Sequence, residues 1–443
     1  MDVDPPVKLL PGERLERVEE LELVDPPAQP DPLTELCLLT GVERPEEIGD
    51  NGPAVGARVT EANVGEESLR LFEIVFGRDS LTVALVVAEL FPKLLETTVR
   101  HLARFQGREY NALREEEPGR IAHEIRDIET DGVWEFPYYG AVDATPLFVR
   151  AAVRAIAHRP AFRDEIQPAF DAAVGWILRR LAEDALGLLS HQRINPHGLE
   201  NQVWKDSWDS MSHADGTVCN HAAPVASVEA QALAYDALLE AAPLYEHPKL
   251  LTVAADRIAT AVEQHLWLGD FYAIGVDRDP ASGAPRPLAT RASNMGWLLG
   301  SRLLDAPELE PRRRGIVDLL FSDEFLADGG IRTLSSREAR FRPRAYHNGN
   351  AWAHDTYTTS LGLEHRGFRD EAAELRRRIV SACERTHRLP EFVAGGDPGS
   401  PLIAKRIVDV YDSVNERVNR VEQPPQEIQG WTVAAMVATE HVG

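Results

Sequence analysis

Val228-Glu229-Ala230-Gln231-Ala232-Leu233-Ala234-Tyr235-Asp236-Ala237-Leu238-Leu239-Glu240-Ala241-Ala242-Pro243-Leu244 decides the fold class. Ala230, Leu233, Ala234, Ala237, Leu238 and Ala241 fall three or four apart, the spacing of one helix face. Pro248–Trp267 repeats the pattern after a short join, so the two segments read as a helical hairpin. Asp79–Phe91 pairs in the same way with Leu94–Phe105, and Thr145–Ala157 with Phe162–Ala182. Asn294–Leu304 and Glu310–Phe321 follow, then Asn350–His365 and Arg369–His387, and Gly430–Glu440 comes last. Strand-like alternation is rare and short. About twelve helices in six hairpins predict an all-α fold, closed as an (α/α)6 toroid of inner and outer helices. An open solenoid would show a sequence repeat of about 34–45 residues, and none is present.

Residues 1–65 differ in texture. Pro5, Pro6, Pro26, Pro27, Pro30 and Pro32 interrupt an acidic stretch, which predicts an N-terminal arm with little regular structure beyond short strands. The helical domain is expected over 66–443. The 443 residues are 44% hydrophobic and 27% charged, the composition of a soluble globular chain. Lys plus Arg is 47 against 71 for Asp plus Glu, a net charge of −24. That argues against nucleic acid or an anionic membrane as partner, because both need a basic footprint. A neutral sugar is not repelled. Cys37, Cys219 and Cys383 are scattered and odd in number, so a reducing, cytoplasmic setting is expected. No segment reaches about 18 apolar residues, and no secretory leader pattern opens the chain.

The loops between hairpins carry the unusual residues. Trp204-Lys205-Asp206-Ser207-Trp208-Asp209-Ser210 sets two indoles beside two carboxylates. Aromatic faces cover the C–H faces of a sugar ring, and carboxylates bind hydroxyls or donate a proton. A Trp-rich core edge would have the same composition. Arg78 and Asp79 precede a helix, where Asp79 or Ser80 can serve as cap. Asp143 stands before another helix, with the same cap alternative. Tyr346-His347-Asn348-Gly349-Asn350-Ala351-Trp352-Ala353-His354-Asp355 lacks the spacing of a metal ligand set and suits a pocket rim of His, Asn and Trp. Glu391, in Arg388-Leu389-Pro390-Glu391-Phe392, has apolar flanks that allow burial and a shifted pKa. There is no GxGxxG after a strand, no phosphate loop and no GxSxG elbow, and no cofactor is expected. Two groups of carboxylates on separate loops remain, the minimum for hydrolysing a glycosidic bond.

These loops, in this order, resemble the amylo-alpha-1,6-glucosidase family of glycogen-debranching enzymes, and more broadly the six-hairpin glycosidases. The strings are FGRDS, EPGRIAHEIR, YYGAVDATPL, NQVWKDSWDSMSHADG with VEAQALAYDAL, RASNMGWLL, YHNGNAWAHD, RLPEF and the helix after PPQEIQGW, spanning roughly 70–440. The resemblance implies an inverting hydrolase of α-glucosidic bonds with its pocket over the inner-helix ends. It implies Asp206 as general acid, with Asp209 the rival, because a GWDxS-like pattern fits Ser207-Trp208-Asp209. It implies Glu391 as base, with Glu427 the alternative, and Ala351 where one branch places its base. Arg78, Asp79 and Asp143 would hold the terminal sugar with Lys205. Trp204, Trp208, His347, Asn348 and Trp352 would line the pocket, and Glu229 would bind or support. Relatives often place a β-sandwich before the barrel, where this chain has its arm. The fold and the site also allow a mannosyl-type glycosidase or a carbohydrate-binding protein without activity.

Overall fold

A computed structural model of the chain describes residues 14–20, 28–58, 73–127, 132–412, 417–423 and 425–442. The expected boundary between arm and helical domain, at 65/66, lies outside them. Helices dominate. α1 (Pro32–Leu39) is followed by two hairpins, α2 (Gly77–Val86) with α3 (Pro92–Arg104), and α4 (Ala144–His158) with α5 (Phe162–Glu183). α6 (Val228–Ala241) pairs with α7 (Lys249–His265), and the segment Ser293–Gly300 with α8 (Glu310–Leu320). α9 (Ala353–His365) pairs with α10 (Arg369–Thr386). α11 (Gly430–Val442) finds its partner in α1, from the other end of the chain.

Burial separates two classes of helix. α6 buries residues all round, including Ala230, Ala234, Ala237 and Ala241, whereas α7 buries one stripe, Leu251, Ala255, Ile258 and Val262. A helix apolar on every side belongs inside others, and small alanines let its neighbours approach. The inner elements touch in sequence. α2 packs on α4, α4 on α6, α6 on Ser293–Gly300, that segment on α9, α9 on α11, and α11 again on α2.

Three features depart from the sequence reading. Ser293–Gly300 is a 3-10 helix rather than the start of an α-helix over Asn294–Leu304. Its backbone lies close to α9, where a Cβ on Gly362 would stand 2.6 Å from the nitrogen of Gly300. The prolines of the arm do not prevent a helix there. Pro32 sits in the first turn of α1, where no N–H is needed, and Asp31 caps it by accepting from Thr34 N at 2.8 Å. Arg14–Glu20 is a short strand of the kind expected in the arm, but it pairs antiparallel with Ala404–Asp412, itself paired with Arg417–Gln423, two strands outside the sequence reading.

Gly362 gives a first prediction. Alanine is the better helix former by about 1 kcal/mol, but here its methyl meets backbone that cannot yield. Gly362→Ala is expected to destabilise by about 1–3 kcal/mol, read as a lower melting midpoint.

Two-residue strands precede four inner helices and fix their entry. Val75–Phe76 pairs with Glu124–Ile125, and Ala226–Ser227 with Gly275–Val276. Ala351–Trp352 pairs with Phe392–Val393, and Ile428–Gln429 with Ala57–Arg58. The N-terminal ends of α2, α6, α9 and α11 are thereby held beside the loops that carry the candidate residues.

Candidate active site

Arg78 is the centre of the site. It stands in the first turn of α2 with its side chain buried. Nε donates to Asp143 Oδ2 at 2.9 Å, Nη2 donates to the carbonyl of Val203 at 3.1 Å, and Nη1 lies 3.6 Å from Asp206 Oδ2. One guanidinium thus ties α2, the start of α4 and the Trp204–Ser210 loop together. Asp143 occupies the N-cap position of α4, yet its side chain makes no cap bond and goes to Arg78 instead. Asp79 is not a cap either. It lies inside the first turn of α2, whose N-cap is Phe76, and among the described residues no hydrogen bond to its carboxylate is formed.

The Trp204–Ser210 loop is fixed from several sides. Val142 N donates to the carbonyl of Gln202 at 2.8 Å. Asn201 Nδ2 donates to the carbonyl of Ser207 at 2.8 Å, and Ser210 Oγ donates to that of Lys205. Ser207 Oγ bonds His347 Nδ1 at 2.8 Å. Asp206 keeps 28% of its side chain exposed, which sets it apart from its fully buried neighbour Lys205.

Glu391 reaches the same space from the far end of the sequence. His387 ends α10 in the left-handed conformation, and the chain then runs beside 426–429. Leu389 N donates to Glu427 O at 3.0 Å, Glu391 N to Gln426 O at 2.9 Å, and Gln429 N to Leu389 O at 2.9 Å. The Glu391 carboxylate accepts from the Tyr346 hydroxyl and, at 3.4 Å, from Gln426 N. Glu427 is placed differently. Its carboxylate lies 2.6 Å from Arg388.

The carboxylates feel one another. Burial pushes Glu391 up to about 8, and the charges of Asp79 and Asp206 add to the rise. Burial pushes Asp206 up to about 6, opposed by Arg78 and reinforced by Asp143 and Glu124. Asp79 rises to about 7 from burial, again opposed by Arg78. Desolvation disfavours the charged form, and like charges in one recess add to it. Perturbed carboxylates of this kind mark functional sites.

Several residues expected in the pocket wall stand behind it. Lys205 and Glu229 are fully buried, which suits Glu229 to the supporting one of its two expected roles and sets Lys205 behind the turn. Trp204 and Trp352 are buried too, within a ring cluster. Trp204 lies 6.2 Å from Trp297, stacked, and 4.7 Å from His354, edge-on. Trp352 stacks on His347 at 4.9 Å, and His354 on Trp431 at 4.2 Å. Among the residues that keep partial exposure are Ser207, Trp208, Trp297 and Tyr346.

Asp209 has partners other than Arg78. Arg340 Nη2 donates to its Oδ2 at 2.8 Å and Asn348 Nδ2 at 3.0 Å. With Asp209 and Asn348, a cavity of about 590 Å³ is lined by Asp215, Arg340, Arg342 and Arg344. Sequence reading missed this cavity, and with it Tyr346 and Glu124. Glu124 pairs with Arg126 at 2.7 Å and sits opposite Phe76 in the strand pair before α2. Among the described residues no group of three His, Cys, Asp or Glu is placed to hold a metal, and no helix is long and apolar enough to cross a membrane.

Known proteins can be compared with this geometry. The fold is similar to that of the GH63 mannosylglycerate hydrolase from Thermus thermophilus solved with Tris and D-glycerate. The TM-score is 0.59 at 13% identity, covering 92% of this chain and 99% of that one. An uncharacterized conserved protein from Thermus thermophilus is similar as well, with TM-score 0.59 at 14% identity, covering 89% and 98%. No curated protein matches in sequence. The amylo-alpha-1,6-glucosidase resemblance narrows to the six-hairpin glycosidases that both share. Residues 123–393, more than half of the chain, match the mannosylglycerate hydrolase MGH1-like glycoside hydrolase domain, and the chain belongs to that family.

Proposed function

We propose that the protein is an inverting glycoside hydrolase acting on an α-linked mannosyl-type glycoside whose leaving group is small and anionic. The cycle of inner helices is read as the (α/α)6 toroid, with the pocket over their N-terminal ends. Asp206 is the acid that protonates the leaving oxygen, and Glu391 is the base that activates water on the opposite face of the sugar. Inversion requires the two carboxyls about 6.5–9.5 Å apart. The contacts that run from Glu391 through Tyr346 and His347 to Ser207, next to Asp206 and about 185 residues away in sequence, support this reading. Glu427, paired with Arg388, is the weaker candidate for base. Arg78 and Asp143 orient the acid, Asp79 binds sugar hydroxyls, and Trp208 and Tyr346 flank the ring. Buried free thiols at Cys37, Cys219 and Cys383 fit a cytoplasmic setting.

The 590 Å³ cavity supports the anionic leaving group. Arg342 is exposed at its lining, while Arg340 is already paired with Asp209. An exposed guanidinium offers a charge and a fork of donors to a small carboxylate. The solved relative with D-glycerate bound is a mannosylglycerate hydrolase, which fits that charge.

The test is turnover of mannosylglycerate, methyl α-mannoside, maltose and isomaltose, with the first-formed anomer followed by NMR. Preference for mannosylglycerate with release of the β-anomer is expected. Preference for isomaltose would return the substrate to α-glucans, and an α-anomer would overturn inversion. Arg342 is exposed at the cavity. Arg342→Glu is expected to raise KM for mannosylglycerate about tenfold and to leave methyl α-mannoside nearly unchanged. Equal effects on both would remove the anionic subsite.

A further inference from the structure

Lys205 does nothing in the reaction just described, yet it is a fully buried cation one residue from the proposed acid. Its ammonium donates to the carbonyl of Thr333 at 2.6 Å and lies 5.0 Å from the centre of the Trp204 ring. Among the described residues no carboxylate forms an ion pair with it, and Asp355 and Glu229 act on its charge from farther off. Both stand in first turns of inner helices, Asp355 in α9 and Glu229 in α6. Asp355 is itself held by Trp297 Nε1, which donates to Oδ1 at 2.6 Å. A buried lysine is costly unless paired, and a leucine or methionine would pack such a site at lower cost. The charge is placed to hold something in register.

What it holds is the turn. Along Trp204-Lys205-Asp206 the side chains diverge, with Lys205 reaching inward to the carbonyl of Thr333 and Asp206 reaching Arg78. Ser210 Oγ donates to the carbonyl of Lys205, so the same residue is gripped through backbone and side chain. We propose that Lys205 is a positioning residue that anchors the turn to the segment carrying Thr333 and thereby fixes the Asp206 carboxyl where a leaving oxygen departs. The inference rests on Asp206 being the general acid. A displacement of about 1 Å at a reacting group costs on the order of 100-fold in rate.

The test compares Lys205→Met and Lys205→Arg with the parent on mannosylglycerate and on α-mannosyl fluoride. Fluoride departs without a proton, so a misplaced acid spares that substrate. Lys205→Met is expected to lower kcat on mannosylglycerate by about 100-fold, with KM little changed and turnover of the fluoride near the parent's. Equal losses on both substrates, or no loss on either, would overturn the proposal. If Lys205→Met fails to fold, Lys205→Arg carries the same comparison, with the same bias between substrates expected. If the parent turns over neither substrate, the substrate reading has failed and the proposal is judged on the crystal structure of the variant. Asp206 displaced from its 3.6 Å approach to Arg78 supports it, and Asp206 in place overturns it.

Discussion

Replacing Asp206 with Asn is expected to lower kcat by about 10²–10⁴-fold, the contribution of a positioned general acid. The amide keeps the size of the carboxyl and cannot deliver its proton. The fold should hardly notice. Asp206 makes one 3.6 Å approach to Arg78, and Arg78 retains Asp143 at 2.9 Å and the carbonyl of Val203 at 3.1 Å. Melting temperature is therefore expected to stay near the parent's while turnover collapses. Asp209→Asn should behave in the opposite way. It deprives Arg340 of its carboxylate partner and weakens the bond from Asn348, so it lowers the melting temperature and costs less in kcat. A greater loss of kcat from Asp209→Asn than from Asp206→Asn would move the acid to Asp209.

Helical periodicity made most of the fold legible, because inner and outer helices both keep an apolar face. It could not distinguish the 3-10 segment. Gly296 and Gly300 read as tolerable helix residues, and only the approach of α9 shows why the backbone there is tight. α1 was legible in principle. Asp31 before Pro32 is a helix-start signal, but it was outweighed by the prolines around it. The sheet formed with Ala404–Asp412 was missed although Arg417-Val418-Asn419-Arg420-Val421 alternates in part.

At the site, the residue types spoke clearly and their directions did not. Arg78, Asp143 and Asp206 share one charge cluster, and the charges of Asp79 and Asp206 act on Glu391. Lys205 and Glu229 share those motifs yet point inward, because a motif fixes spacing along the chain and not which face a side chain takes. Tyr346 and Arg340 reach their carboxylates from 45 and 131 residues away. Such contacts exist only once the hairpins are assembled. The missed cavity follows from the same cause, since its lining comes from residues 209–216 and 339–348.

The pH dependence of turnover is expected to separate the two carboxylates by role. Asp206, raised to about 6, must hold its proton, so its contribution falls as pH rises through 6. Glu391, raised to about 8, must be ionised, so its contribution falls as pH drops through 8. The order is opposite to the resting state of an acid and base pair, and the active form is a minor one, about 1% of the enzyme at pH 7. The parent should show a bell with kcat/KM highest near pH 7 and about tenfold lower at pH 5 and pH 9. The variants resolve which limb belongs to which group. Asp206→Asn, assayed with α-mannosyl fluoride, depends on Glu391 alone, so its rate should climb with pH and level off at or below 8. The level comes early because Asp206 no longer adds its charge to the rise of Glu391. Residual turnover by Glu391→Gln depends on Asp206 alone, so it should be flat at low pH and fall above about 6. If the roles were exchanged, the Asp206 variant would turn over the fluoride poorly at every pH, and the Glu391 variant would gain activity as pH rises through about 6.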